Sequence, residues 1–516
     1  MKTAAEYRAD LDEMNVDLVV GGERVKKPTD NPWLQRGINV ISLTYDFAND
    51  PVYQPLMTAT SHLSGKKISR FTHIHQSCDD LLRKLAMTRL YTQTCGGCIQ
   101  RCMGTDGLNA TSIISYEIDK ARGTSYHQNF LKYLRYVQDN DLMLAGCVTD
   151  VKGDRSLRCH QQADPDLNVH VVDKRDDGIV VRGAKTHISC AAYSHEMMVI
   201  PTQARPEEDK DWAVCFSCPC DAPGLKLIVN RGPTPPAGGI SCPITSKYNI
   251  NEALVIFDNV FVPWERVFMC GEWEWAGILA RLFGDYHRHS YSACKPGLAD
   301  LIMGSAALAS DCNFSGKMPG HINDKIFQLI YNAEMIYSCG VASSVMGRKQ
   351  QSGTYLPDVT MANMGKYHAG LCIHDEVATL QDIAGGLAFT APDNDNWQNP
   401  EVRKDLEKYL KGPASLPTEE RLRVFHLCRD LCNSEEAAFN MTVGVIGAGP
   451  MQAQRITVMK DYDLEWRKVM ARHHAGIPQP EGAWEEVNRK LVSALANQNS
   501  TETELPILEK ETKKGG

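Results

Sequence analysis

Three cysteines fall within eight residues in the stretch 94–107, TCGGCIQRCMGTDG, and two of them, Cys98 and Cys102, are four apart. Thiols grouped in this way can clasp a metal, staple a loop or pack as small hydrophobes. The i,i+4 spacing sets Cys98 and Cys102 on one face of a helix. Cys95 and Cys98 form a CxxC, but the two glycines between them disfavour a helix, which points Cys95 at a different surface. A second fragment, DYHRHSYSACKPG, supplies His287 and Cys294, seven apart. On an unbroken helix they would lie two turns, roughly 10 Å, apart on one face. That span is long for one small ion and suits a four-iron cluster, and Pro296 and Gly297 just downstream could distort the helix.

Each residue also has a plainer reading. Two cysteines four apart on a helix commonly pack in a core. A zinc site built from Cys95, Cys98, Cys102 and one histidine is a competitor. A redox CxxC would need a thioredoxin-like βαβ unit, and none surrounds it. His287 alone reads as a satisfied core histidine. Spacing alone leaves these alternatives open.

The elements that must position these groups show in the texture of the chain. Residues 1–145 look mainly helical, as in DDLLRKLAMTRLYTQTC and HQNFLKYLRYVQDNDLML, whose apolar residues recur at helical spacing. From about Ala145 short β-branched runs alternate with Asp, Gly and Pro: VVDKRDDGIVVRGAKTHISC, HEMMVIPTQ, WAVCFSCPC, GLKLIVN and ALVIFDNVFVPWERVF. These are strands and turns of a small β-barrel or sandwich over 146–275. Beyond about Trp275 long helical segments return and predict a bundle over 276–516. The polar stretch NPEVRKDLEKYLKGPASLPTEE reads as a surface crossover. The charged tail NQNSTETELPILEKETKKGG is expected to pack against a partner subunit or not at all. The fold class is therefore α+β, in the order helical, β, helical, as in acyl-CoA dehydrogenase-like flavoproteins.

Composition bounds the function. A chain of 516 residues exceeds one hydrophobic core, and its 43% hydrophobic and 23% charged content is that of a globular protein. A net charge of −8 argues against a nucleic-acid-binding surface. No apolar leader opens the chain and no uncharged apolar run is long enough to span a bilayer, so a cytoplasmic protein with no membrane partner is expected. In that compartment the 18 cysteines should be reduced, and those clustered with histidine are better metal ligands than disulfides. Their abundance also suits an anaerobic cell.

The motifs CIQRCMGTDGLNA, GAKTHISCA, EALVIFDNVFVPWERVF, HRHSYSACKPGLADLIMG, QSGTYLPDV, QDIAGGLAFTAP and GAGPMQAQR together resemble the 4-hydroxybutyryl-CoA dehydratase family, over residues from about 5 to about 480. That family lies within the wider group of flavin-dependent 4-hydroxyphenylacetate 3-monooxygenases. The resemblance implies FAD and a [4Fe-4S] cluster held by Cys98, Cys102, His287 and Cys294. It implies an oxygen-sensitive lyase that dehydrates a hydroxyacyl-CoA to crotonyl-CoA or its like, possessing also vinylacetyl-CoA isomerase activity. The implied route is radical: a base takes the α-proton, FAD removes one electron from the enolate, the β-proton becomes acidic and the γ-hydroxyl leaves. A cluster iron bearing a histidine serves as Lewis acid, since imidazole is displaced more readily than thiolate.

Matching positions carry further implied roles. Glu252 and Tyr291 match residues that handle protons and hydrogen-bond near the leaving hydroxyl, and Lys295 and Gln100 match other active-site positions. Read without the family, Glu252 is a strand-end surface carboxylate, Lys295 a solvated cation and Tyr291 a core aromatic. Flavin contacts are expected from Thr149, Asp150, Lys152, Asp154, Arg155 and Ser156, from Thr186 near the isoalloxazine, and from Ala448 in the GAG loop. Gln381, Asp382, Gly385 and Gly386 match the segment by which a neighbouring subunit touches FAD, which implies a homodimer or a tetramer of two dimers. GVIGAGPMQAQ offers a superficial GxGxxQ but ends a helical stretch, so it reads as a flavin-side loop and not as a Rossmann turn.

One departure bears on the substrate. Where the family carries a glutamate and a histidine before GAG, Val443 and Ile446 stand here. Glu436 lies seven residues earlier, roughly 10 Å along the helix, and is not expected to substitute. The alternatives are a different hydroxyacyl substrate, an oxygen-dependent aromatic hydroxylase with structural cysteines, or a cluster-bearing paralogue without turnover.

Overall fold

The protein is described from a computed structural model covering residues 1–232 and 238–496. The charged tail 497–516 therefore lies outside the described residues. Helices dominate up to Asp139, strands run from Leu144 to Cys270, and helices return from Trp273. The first part is not purely helical. Strand Asp17–Val20 pairs in parallel with Leu225–Val229, with Glu23–Arg24 as its hairpin partner. A four-residue strand whose partner is some two hundred residues away leaves little local pattern to read.

Two sheets make the β portion. One has six strands in the order Glu23–Arg24, Asp17–Val20, Leu225–Val229, Glu252–Pro263, Gly178–Ser189, His170–Lys174. The other has four, in the order Val267–Cys270, Val214–Pro219, Glu196–Val199, Leu144–Cys147. Alternate side chains such as Val181, Leu227, Val255, Met197 and Phe216 enter one shared core, as the two-residue period of a strand requires. Phe216 and Phe257 lock the sheets edge to face, ring centroids 5.9 Å apart. The register between Glu252–Pro263 and Gly178–Ser189 shifts between Ala253 and Val255, an irregularity that bends the strand just beyond Glu252.

A single 39-residue helix, Trp273–Asp311, is the spine of the second helical portion. Pro296 lies inside it without ending it. The helix packs against Cys78–Cys95, Cys102–Arg122, Gly320–Val345 and Val359–Ala384, so it joins the two helical portions. The polar stretch expected as a crossover forms a helix, Pro400–Tyr409, with no buried residue, followed by a loop. Among the described residues, no helix is long and apolar enough to cross a membrane.

Arg101 ties the N-terminal elements to the loop before Cys102. It is 2% exposed, lies over the Tyr45 and Phe71 rings at 4.3 and 5.1 Å, and donates to Thr44 and to Asp141 at 3.2 Å. Removing one member of a buried ion pair strands the other charge. Arg101→Met is therefore expected to cost about 3 kcal/mol, read as a lower thermal midpoint, while Arg24→Ala, at an exposed pair with Asp17, should cost under about 1 kcal/mol. Equal midpoints for the two variants would refute this assignment.

Candidate active site

The helix Cys78–Cys95 ends where Gly96 takes φ +71 and donates to Thr92 O at 2.9 Å. Cys98 then sits in a loop, and the next helix begins at Cys102. The expectation that Cys98 and Cys102 share a helix face is corrected here, because a left-handed glycine ends the first helix before Cys98. Gln100, at φ +52, folds the chain back on itself. The Cys98 thiol consequently meets those of Cys102 and Cys294, with which it exchanges hydrogen bonds. Cys95 is aimed elsewhere: its thiol donates to Gly97 O at 3.2 Å, and it packs in the core with Val40, Tyr91 and Ile99.

The spine helix delivers Cys294 and His287 to the same place. The neighbouring Cys102 and Cys294 thiols, followed by the charge of Lys295, hold Cys98 well below the usual thiol range. Cys102 and Cys294 are pushed up in turn, first by their hydrogen bonds to Cys98 and then by burial. One proton leaves this trio readily, but three thiolates would need a cation at their centre to offset their repulsion.

His287 is oriented by a carboxylate that its sequence position does not reveal. Its Nδ1 donates to Asp106 Oδ2 at 2.9 Å, which leaves Nε2 with a free lone pair. Asp106 has no solvent exposure and is held by Lys84 Nζ at 2.5 Å and Ser290 Oγ at 3.1 Å. Burial opposes its charge, yet Lys84 and His287 keep it below the usual carboxylate range. Donor atoms of Cys102, Asp106 and His287 lie within 4.8 Å of one another. Since three donors already occupy its oxygens, Asp106 acts as an orienting group and not as a ligand.

A second cluster lies beside the thiols. Strand pairing sets Glu252 opposite Ser189. Glu252 Oε1 accepts from Ser189 Oγ at 2.7 Å and from Gln100 Nε2 at 3.3 Å, while Oε2 is buried with no partner. Burial pushes this carboxyl up to about 7 against the pull of those two donors. Gln100 is fixed from its other end by the Cys190 thiol at 3.3 Å. Glu252 lines a cavity of about 270 Å³ together with Asn249, Ile250, Phe439 and Glu436.

Tyr291 lies edge-on to His287, centroids 5.2 Å apart, and donates to Val443 O at 3.0 Å. Lys295 and Lys366 approach its ring at 5.4 and 4.9 Å. Lys295 is buried and not the solvated cation that its type suggests. Lys366 donates to Gly444 O at 2.9 Å and Val445 O at 3.2 Å, and burial brings it down to about 7. At the two positions where the resemblance implies a glutamate and a histidine, Val443 offers its carbonyl to Tyr291 and Ile446 is exposed.

The residues expected at the flavin fall in three places. Thr149 O accepts from Thr186 N at 2.9 Å, tying loop to strand. The Asp150 carboxylate is taken up by Lys185 at 2.6 Å and Arg205 at 2.5 Å. Lys152, Asp154, Arg155 and Ser156 form an exposed loop, turned by Gly153 at φ +53. Gln381 donates to Cys432 O and Asn433, Asp382 pairs with Lys325, and Gly385 and Gly386 stand exposed at the end of their helix. Ala448, at φ +55, offers its carbonyl to Arg288 at 3.1 Å.

Sequence reasoning therefore gathered Cys98, Cys102, His287, Cys294, Gln100, Glu252, Tyr291 and Lys295 at this site, and missed Lys84, Asp106, Ser189 and Lys366. Asp106 alone left a signal, four residues after Cys102 on the same helix.

Comparison with known proteins fits this geometry. The family models for the N-terminal and C-terminal parts of 4-hydroxyphenylacetate 3-hydroxylase match residues 3–269 and 276–476. The chain is 40% identical, over 92% of its length and 100% of the relative's, to 4-hydroxybutyryl-CoA dehydratase/vinylacetyl-CoA-Δ-isomerase of Clostridium aminobutyricum. The structure of an oxygen-tolerant archaeal 4-hydroxybutyryl-CoA dehydratase from N. maritimus superposes with a TM-score of 0.89 at 37% identity, covering 93% of this chain and 96% of that one. The oxygenase component of 4-hydroxyphenylacetate 3-monooxygenase complexed with FAD gives 0.83 at 25% identity, covering 92% and 98%. The chain belongs to the 4-hydroxybutyryl-CoA dehydratase/vinylacetyl-CoA isomerase family, within the wider 4-hydroxyphenylacetate 3-hydroxylase group.

Proposed function

We propose that this protein is a lyase that uses FAD and a [4Fe-4S] cluster to dehydrate a 4-hydroxyacyl-CoA, with 4-hydroxybutyryl-CoA as the reference substrate and isomerisation of the vinylacetyl thioester as a partial reaction. The observation that carries this reading is the meeting of three buried thiols with an imidazole oriented by Asp106. Thiol sulfurs are the donors an iron–sulfur cluster takes, and one nitrogen ligand marks the metal that is open to substrate. Cys98, Cys102, Cys294 and His287 Nε2 would hold the cluster. For FAD, the support is the similar flavin-bound oxygenase component, together with the exposed Lys152 and Arg155, whose charge suits a pyrophosphate. When bound, the two groups supply one-electron acceptance and a Lewis acid for the leaving hydroxyl.

The chain's own groups then divide the work. Lys84 and Asp106 fix the imidazole ring, keeping its proton on Nδ1. Glu252, which lines the cavity and keeps Oε2 buried without a partner, accepts a proton from the acyl chain, while Ser189 and Gln100 hold the carboxyl in place. Lys295 and Lys366 bring positive charge against the thiols and the Tyr291 face. Tyr291 borders His287, where a departing hydroxyl would lie. We take the protein to be cytoplasmic and a homo-oligomer, the latter because Phe327, Ile330, Tyr331 and Met335 of one helix and Leu371 of its neighbour are exposed.

Anaerobically purified protein should contain about four iron, four sulfide and one FAD per chain. FAD without iron would redirect the reading to oxygen-dependent hydroxylation. Asp106→Asn should lower iron retention or activity by about 10–100-fold while Cys294→Ser loses the iron outright. An iron content unchanged in both variants would exclude this ligand set.

The Glu252 carboxyl must be ionised to accept a proton, and its raised value of about 7 leaves it protonated in acid. kcat/KM should therefore rise with pH through about 7 and fall away below it. Glu252→Gln should lose this limb along with about 10²–10⁴ of the rate; a surviving limb would assign it to another group.

A further inference from the structure

Dehydration of a 4-hydroxyacyl thioester sets a proton count. The Cα–H and Cβ–H bonds break, each leaving its electron pair on carbon, and the Cγ–O bond breaks with its pair on oxygen. One carbon pair becomes the Cα=Cβ double bond and the other forms a new Cγ–H bond with a returned proton. The second proton joins hydroxide as water, and the overall change is redox-neutral. Two protons thus leave carbon and two are returned, and if both leave before either returns, one carboxyl cannot hold them and a second acceptor is needed. Glu252 is the first. His287 is held at Nδ1 by Asp106 and would be taken at Nε2 by the cluster, Tyr291 donates to Val443 O, and Lys366 is bound to two carbonyls.

We infer that Glu436 is the second acceptor: a catalytic carboxyl that faces Glu252 across the 270 Å³ cavity and takes the Cβ proton of the acyl chain. This rests on the dehydratase reading above and extends it to a residue that spacing had set aside. Three observations support it. Glu436 and Glu252 belong to different portions of the chain, a helix and a strand, yet line one cavity. Glu436 is 6% exposed, unlike its neighbour Glu435 at the mouth, so it has been brought inside against the cost of burying a carboxyl. The other carboxyl of the cavity, Glu252, is held at Oε1 by Ser189 and Gln100 and keeps Oε2 buried without a partner.

Local structure explains the placement. Ser434 caps the helix Glu435–Ile446 by accepting from Ala437 N at 3.0 Å, which sets Glu436 in the first turn. Its side chain and that of Asn440, one turn on, abut the loop that carries Cys98. A Cβ added at Gly97 would lie 3.3 Å from Glu436 Oε1 and 3.4 Å from the Asn440 amide. The charged groups around it are Arg36 and Lys295, which favour its anion, and Asp430 and Cys98, which oppose it; burial outweighs them and raises it to about 8. A carboxyl in that state can take a proton and release it again near neutrality.

The test uses anaerobic holoenzyme and 4-hydroxybutyryl-CoA in D2O, with Glu436→Gln, Glu436→Asp and Glu252→Gln variants. Iron, FAD, kcat, KM and deuterium at Cα and Cβ are measured. Glu436→Gln should keep iron, FAD and KM, lose about 10²–10⁴ in kcat, and exchange deuterium at Cα but not at Cβ. Glu436→Asp should recover part of kcat, and Glu252→Gln should exchange at neither carbon. The assignment is overturned if Glu436→Gln turns over at the wild-type rate, or if it loses iron or FAD along with activity and Asp restores nothing. A wild-type enzyme that neither turns over nor exchanges overturns the dehydratase reading and this assignment together; an unaffected Glu436→Gln beside an active wild type overturns this one alone.

Discussion

A carboxylate without solvent must be neutralised by its neighbours, and the site is built around the way Asp106 meets that demand. Lys84 arrives from the helix before the cysteine loop, Ser290 and His287 from the spine helix, and Asp106 itself from the helix that begins at Cys102. Removing Lys84 alone strands the buried Asp106 charge, at a cost of about 3–5 kcal/mol. Three helices are therefore held in register by one ionic centre. That register brings Cys294 to Cys98 and Cys102, since Cys102 and Cys294 lie on two of these helices and Cys98 in the loop that joins two of them.

The same arrangement divides the chemistry. On one side sit the thiols and the imidazole, soft donors in a buried, positively biased pocket. On the other, Gln100 crosses from the cysteine loop to Glu252, so the loop that carries Cys98 also positions that carboxyl. Cys190 and Ser189, at the end of one strand, hold both partners of that contact. Loop geometry at Gly96 and Gln100 is thus shared by the two halves of the site, and a shift there would disturb both.

The turn 447–450 is secured from beneath. Tyr291, Lys366 and Arg288 donate to the carbonyls of Val443, Gly444, Val445 and Ala448. These contacts use carbonyls only, so they do not depend on the side chains at 443 and 446.

Much of this was legible in residue types. The strand-and-turn texture from Ala145 to Trp275 maps onto the strands between Leu144 and Cys270, because alternation and turn residues are local signals. Cys98, Cys102, His287 and Cys294 could be nominated because few residues bind soft metals. The strand Asp17–Val20, the loop position of Cys98 and the burial of Lys295 could not be read this way, since each depends on a partner distant in sequence. Asp106 is 181 residues from His287, too far for a local pattern to join them, and Glu436 was set aside on its distance along the helix. By itself, then, the sequence determined which donor and ionisable side chains are present and which elements carry them, because side-chain type and periodicity are properties of short stretches. Only the tertiary structure decided which thiols meet, which carboxylate orients the imidazole and which carboxyls share a cavity, because burial and helix packing set those distances.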